Sequence, residues 1–168
     1  MRVLGIDPGT QATGFGLVEL RPDGALAAVA WGVWRAPGRA SEAERLHRLF
    51  QAVSQFLATR AVDRVAVERL FFNRNVRTAL SVGQARGVVL LAAAQHGLEV
   101  DEFTPPEVKS GVVGQGAASK EQVAYMVARL LGISSEGLED HAADALAVAV
   151  CCAHTLATRR RWAGAAGP

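Results

Sequence analysis

The first 35 residues carry three apolar runs whose connections are too short to hold a helix. Residues 2–7 (RVLGID), 14–20 (GFGLVEL) and 25–35 (ALAAVAWGVWR) each read as a strand, and Pro22-Asp23-Gly24 supplies a hairpin turn between the last two. Parallel neighbours need a crossover of about a dozen residues or more, so this opening predicts an antiparallel start to a sheet. After it the pattern changes. Ser41 with Glu44 three residues on forms a capping-box signature, and Leu46, Leu49, Phe50, Val53, Phe56 and Leu57 share one helical face in the stretch to Arg60. VDRVAVE, ending at Glu68, reads as a buried strand. Residues 78–96 read as a helix closed by Gly97, and 98–103 as a fifth strand. Pro105-Pro106 starts a short helix, 111–116 reads as a loop, Ser119 caps a helix over 120–131, and a last helix runs from about 140 to 159. Three antiparallel strands followed by alternating helices and strands predict an α/β protein with a five-stranded mixed sheet and helices on both faces. That is the element order of the ribonuclease H-like architecture.

A chain of 168 residues, half of them hydrophobic, is the size of one domain; the pattern assigns 1–160 to it and 161–168 to a flexible tail. No uncharged apolar run reaches the roughly 18 residues that span a bilayer. The nearest, 142–157, contains Asp144 and His154. Asp7 interrupts the only apolar run near the start, so nothing there reads as an export signal, and a cytoplasmic protein is expected. Cys151 and Cys152 are adjacent, which suits neither a disulfide framework nor a metal knuckle; they read as buried thiols. The formal net charge of +2 does not by itself announce a nucleic-acid binder. Among 18 basic residues, however, only Lys109 and Lys120 are lysine.

The chemistry is carried by acids. Asp7 ends the first strand and is followed by Pro8-Gly9-Thr10; Glu68 ends the fourth in the same way. If those strands are parallel neighbours, both carboxylates emerge at the edge where α/β sheets bind ligands. His141 and Asp144, at i and i+3 of HAADALAVAV, lie on one face of an otherwise small and apolar helix. Clustered carboxylates repel one another unless cations balance them, and hard oxygen donors favour Mg²⁺ or Mn²⁺. Taken singly, Asp7 also reads as a turn residue and Asp144 as a helix-start residue. Beyond Glu68, the segment RLFFNRNVR holds Arg69, Phe71, Phe72, Arg74 and Arg77. Two adjacent aromatics cannot both point inward, so an exposed Phe is available to stack on an unpaired base while the arginines hold phosphates.

With these residues in order, the chain resembles the RuvC family of Holliday junction resolvases. The resemblance covers about residues 1–155 and rests on GIDPGTxxTGFG, VAVE with its aromatic segment, SVGQARGVVLLAA, VKSGVVGQGAASKEQV and HAADALAVA. It implies a ribonuclease H-like homodimer that nicks two opposed strands of a four-way DNA junction, leaving 5′-phosphate and 3′-hydroxyl ends. It also implies a metal site of one or two Mg²⁺ or Mn²⁺ ions on Asp7, Glu68, His141 and Asp144. Lys109 and Lys120 match the family's basic positions near the site, Phe71 its stacking residue with Phe72 beside it, and helix 78–96 its dimer interface. On that helix Val82, Val88, Val89, Ala92 and Ala93 offer an apolar surface, with Gly83 and Gly87 allowing close approach. A branch-migration complex of the RuvA and RuvB type is the implied partner. One position departs from the pattern: many members read D-x-x-D where this chain has His141-Ala-Ala-Asp144. His141 holds the motif's place, Asp140 is the alternative ligand, and imidazole predicts a preference for Mn²⁺ over Mg²⁺. Two other readings are a junction-binding module without catalysis and, from the GIDPGT turn, an actin- or sugar-kinase-like ATPase domain.

Overall fold

A computed structural model describes residues 1–69 and 76–165 of the chain. Its element order is β1 (Arg2–Asp7), β2 (Ala12–Leu20), β3 (Leu26–Arg35), α1 (Glu42–Thr59), β4 (Arg64–Glu68), α2 (Val76–Gln95), β5 (Val100–Phe103), α3 (Pro105–Val113), α4 (Lys120–Leu131) and α5 (Asp140–Ala165). The five strands form one sheet in the order β3-β2-β1-β4-β5. β1–β2 and β2–β3 are antiparallel, as their short connections demand; β1–β4 and β4–β5 are parallel, each reached through a helix. The ribonuclease H-like arrangement implied by the element order is the one the chain adopts.

Both faces of the sheet are covered. On one, Leu4, Ile6, Val65 and Val67 pack with Leu49, Val53 and Phe56 of α1 and Ala85 and Val89 of α2. On the other, Val3, Val18 and Ala66 pack with α3, α4 and the small residues of α5. β1 and β4 alternate between these two cores because side chains on a strand alternate between its faces. β1 and β4 thus have apolar residues on both faces, and the burial of Leu4, Ile6, Val65 and Val67 leaves their ends well fixed.

α5 approaches the sheet through glycine. A Cβ on Gly5 would overlap the Ala145 carbonyl, one on Gly14 the His141 carbonyl, and one on Gly16 the Leu146 side chain. These glycines let the helix backbone lie directly on β1 and β2. By length and composition, Asp140–Trp162 is apolar enough to cross a membrane; here it is the central core helix.

Several boundaries differ from expectation. α3 continues through Gly111 to Val113 and ends at Gly114, whose φ of 87° caps it. Gly111 lies inside the helix, and a side chain there would strike Cys151, so its smallness serves packing and not a loop. α5 extends past Arg159 to Ala165, so residues 161–165 continue the helix where a tail was expected. The surface of α2 is also reassigned. Val89, Ala92 and Ala93 are fully buried in the chain's own core, and among the described side chains of α2 the large apolar ones exposed are Leu80 and Leu91, with Gly87 between them.

Candidate active site

The site begins with β1 and β4. They pair in parallel with Ile6 opposite Val67, which brings Asp7 and Glu68, the next residue of each, to the same sheet edge. α5 supplies the third acid: the close contact of Gly14 with His141 sets the start of the helix beside Asp7, which is itself opposite Gly14. One turn further on, Asp144 faces the same place. α3 and α4 contribute Lys109 and Lys120. Asp7, Glu68, Lys109, Lys120 and Asp144 line one cavity of about 280 Å³, walled by Val108, Val123 and Ala147.

Local structure fixes the turn after Asp7. Thr13, fully buried, donates its hydroxyl to the Gly9 carbonyl at 2.6 Å and accepts the Gly9 N–H at 3.2 Å. The hydroxyls of Thr10 and Ser81 are 2.7 Å apart, tying the turn to α2. On α4, Ser119 and Gln122 form a reciprocal capping box that anchors Lys120 at the first turn. Thr104 and Glu107 do the same for α3, which carries Lys109.

The charges are paired within the site. Nδ1 of His141 is 2.7 Å from Oδ2 of Asp7. Lys120 Nζ lies 3.1 Å from Asp144 and 3.3 Å from Asp140. Asp140 is the outer partner of this lysine and lines a neighbouring shallow pocket, whereas His141 is the residue that reaches Asp7. Burial raises the Asp7 carboxyl above the ordinary carboxylate range; the His141 hydrogen bond pulls it down and the Asp144 charge pushes it up again. Burial, and then the charges of Asp7 and Asp144, push Glu68 to about 7, with Lys109 opposing. For Lys120 burial works against the charged form, and the hydrogen bonds and charges of Asp144 and Asp140 outweigh it, raising the ammonium. Among the described residues no three carboxylate, imidazole or thiol groups converge on one point: Asp7 is turned to His141 and Asp144 to Lys120. Cys151 and Cys152 are buried thiols, pushed up to about 11 and about 12 chiefly by burial.

The family model described as "Crossover junction endodeoxyribonuclease RuvC" matches residues 3–152. The chain belongs to the RuvC family. A RuvC of Heliobacterium modesticaldum is 53% identical over 93% of this chain and 96% of its own length. One from Desulfitobacterium hafniense is 48% identical over 98% of this chain and 99% of its own. The solved structure "T. thermophilus RuvC in complex with Holliday junction substrate" superposes with a TM-score of 0.89 at 35% identity, covering 95% of this chain and 96% of that one.

Of the site residues expected for a RuvC protein, Asp7, Glu68, Asp144, Lys109 and Lys120 line one cavity, and His141 joins them through Asp7. Arg69 follows β4 and reaches toward Glu102 at 3.8 Å. Phe71, Phe72, Arg74 and the Arg77 side chain lie outside the described residues. Sequence reasoning missed Thr13 and the Thr10–Ser81 contact. The signal was present in GTQATG: two threonines three residues apart, each beside a glycine.

Proposed function

We infer that this chain is a junction-resolving endodeoxyribonuclease that nicks two opposed strands of a four-way DNA junction in recombination and repair. The observation that carries the reading is that Asp7, Glu68 and Asp144, with Lys109 and Lys120, line one cavity of a RuvC-family chain. The turn after Asp7 is tight: a Cβ on Gly9 would overlap the Ala12 carbonyl, so only glycine fits there.

The donor chemistry fits divalent metal. Burial and neighbouring acids raise the proton affinity of Asp7 and Glu68, and hard oxygen donors match Mg²⁺ and Mn²⁺. Asp7, Glu68 and Asp144 would hold one or two such ions, with His141 as a further ligand. Bound there, the metal supplies charge that activates water and stabilises the leaving oxygen. The chain's own part is to hold and exclude. Glu68 and Asp7 stand on strand ends that cannot drift. Val108, Val123 and Ala147 keep bulk water from one side. His141 orients the Asp7 carboxylate, and Lys120 releases Asp144 to draw toward a phosphate oxygen. The imidazole at 141 favours Mn²⁺ over Mg²⁺; equal turnover with both ions in wild type and no change in His141→Asp would refute that preference.

A symmetric cut on a two-fold junction calls for a two-fold dimer. The α2 surface with Leu80, Gly87 and Leu91 is the apolar face available for it. Leu91→Glu is expected to convert the dimer to monomer in sedimentation, with the melting temperature nearly unchanged. Phe71, with Phe72 as its neighbour in sequence, is the residue to stack on an unpaired base at the branch point, with Arg69, Arg74 and Arg77 to hold phosphates. The protein works in the cytoplasm, with a branch-migration complex of the RuvA and RuvB type delivering the junction. The test is a labelled synthetic junction incubated with Mg²⁺, Mn²⁺ or EDTA. Paired nicks that need metal support the nuclease, and binding without nicks supports a binding module.

A further inference from the structure

A second cavity, of about 270 Å³, lies on the α1 side of the turn that follows Asp7. Gly9 and Thr10 of the turn, Arg35 at the end of β3, and Arg45 and Arg48 of α1 form its polar walls. Among the described residues, three guanidinium groups and no carboxylate line it. Two of the three are drawn to acids outside the lining: Arg35 to Glu139, and Arg48 to Glu44 at 3.0 Å, both as exposed pairs. The third is less well served. Arg45 donates one Nη to the Gly38 carbonyl at 3.0 Å, and its Nε is buried with no partner among the described residues. A buried donor without an acceptor is uncommon in folded proteins, and it leaves the Arg45 guanidinium at the cavity wall only partly satisfied by its own chain.

We propose that this cavity holds a backbone phosphate of the DNA strand whose scissile linkage lies at Asp7, with Arg45 and Arg48 as its donors. The proposal rests on the nuclease reading above and adds a positioning site to it. A guanidinium fork matches phosphate oxygens in pairs, which an ammonium does not. Thr10 is three residues from Asp7, and three residues span at most about 10 Å. A strand that crosses the turn at Gly9 therefore meets the carboxylates on one side and the arginines on the other. The Glu44–Arg48 pair is exposed and of little net worth, so a phosphate exchanges for Glu44 at small cost. The turn between the two cavities is rigid, held by Thr13 and by the Thr10–Ser81 contact, so the separation of the two cavities is set by the fold.

The experiment compares wild type, Arg45→Gln, Arg48→Gln and the double variant. Each is titrated with a fluorescent four-way junction in EDTA over a series of salt concentrations, and melting temperatures are measured alongside. The double variant is expected to bind about tenfold more weakly at fixed salt, with the slope of log affinity against log salt shallower by about 1 to 2. Its KM for metal-dependent cleavage should rise while kcat is kept, and its melting temperature should stay at the wild-type value. Unchanged affinity and slope would overturn the proposal. So would a loss confined to Arg45→Gln and matched by a lowered melting temperature, because Arg45 would then serve only to hold Gly38. A thermal-shift arm uses inorganic phosphate. Stabilisation of wild type that is lost in the double variant, with the junction slope unchanged, would assign the cavity to a free phosphate and overturn the DNA assignment. A wild-type protein that neither binds nor nicks the junction would overturn the nuclease reading itself, and the proposal with it.

Discussion

The two cavities beside the turn after Asp7 are nearly equal in size, about 280 and 270 Å³, and opposite in charge and in construction. The first takes its acids from strand ends and from a helix buried along most of its length, so Asp7, Glu68 and Asp144 have little freedom to move. The second takes its arginines mainly from the flank of α1, on long side chains that can follow a ligand. Chemistry at a phosphodiester needs groups held within a fraction of an ångström, whereas gripping a flexible backbone needs only charge within reach. The contrast teaches where rigidity has been placed: the acid side through glycine-mediated contact of α5 with β1 and β2, the arginine side hardly at all.

The largest effects should separate the two sides cleanly. Glu68→Gln and Asp144→Asn are expected to slow junction cleavage by about 10³-fold, roughly 4 kcal/mol of barrier. Junction binding in EDTA should be unchanged or tighter, since a carboxylate that repels phosphate has gone. Single-turnover kinetics with parallel binding curves would show whether the acid side serves chemistry alone; a matching loss of binding would blur the division. Gly14→Ala comes next. Its methyl group would overlap the His141 carbonyl, so α5 must shift, at a cost of about 3 kcal/mol in denaturant unfolding and with loss of cleavage. A variant as stable as wild type would contradict the account of how the acid side is held.

A smaller effect follows from proton affinity. Glu68 is raised from 4.5 to about 7, so the metal-free folded protein holds a proton that the unfolded chain releases above pH 4.5. The stability this provides is fully present below about pH 4.5 and is lost as pH rises through about 7. Allowing for solvent screening at a partly exposed group, the loss is about 1–2 kcal/mol. Melting of the metal-free protein from pH 5 to 8 should show this fall, and Glu68→Gln should flatten it. Mn²⁺ should reverse the trend, because metal binds the deprotonated form. Thr13→Val is expected to cost about 1–2 kcal/mol through the loss of both bonds to Gly9. As the clamp lies between the cavities, that variant should weaken binding and cleavage together, which neither side's own variants do.

Much of this was legible in the sequence. Short connections dictated the antiparallel opening, and strand-end acids followed from the apolar runs that Asp7 and Glu68 terminate. The caps at Ser41, Thr104 and Ser119 follow local rules, and two of them were read directly. What was not legible depends on which surfaces meet. Gly111 looks like a helix breaker until Cys151 is seen against it. Val89, Ala92 and Ala93 look as available for a partner as Leu80 and Leu91, because one amphipathic helix does not say which stripe the core takes. Arg45 in ERLHRLF reads like any solvated helix arginine; only the fold brings it beside Gly9 and leaves its Nε without an acceptor.

The central claim is that Asp7 is the pivot of a metal-dependent cut in junction DNA. A strand-labelled four-way junction incubated with Mn²⁺, with Mg²⁺ and with EDTA tests it most directly, with wild type beside Asp7→Asn. The account predicts paired nicks in two opposed strands with metal, none in EDTA, and none from Asp7→Asn, although that variant still binds the junction. Nicks of equal yield from Asp7→Asn, or an intact junction with wild type under both ions, would contradict it.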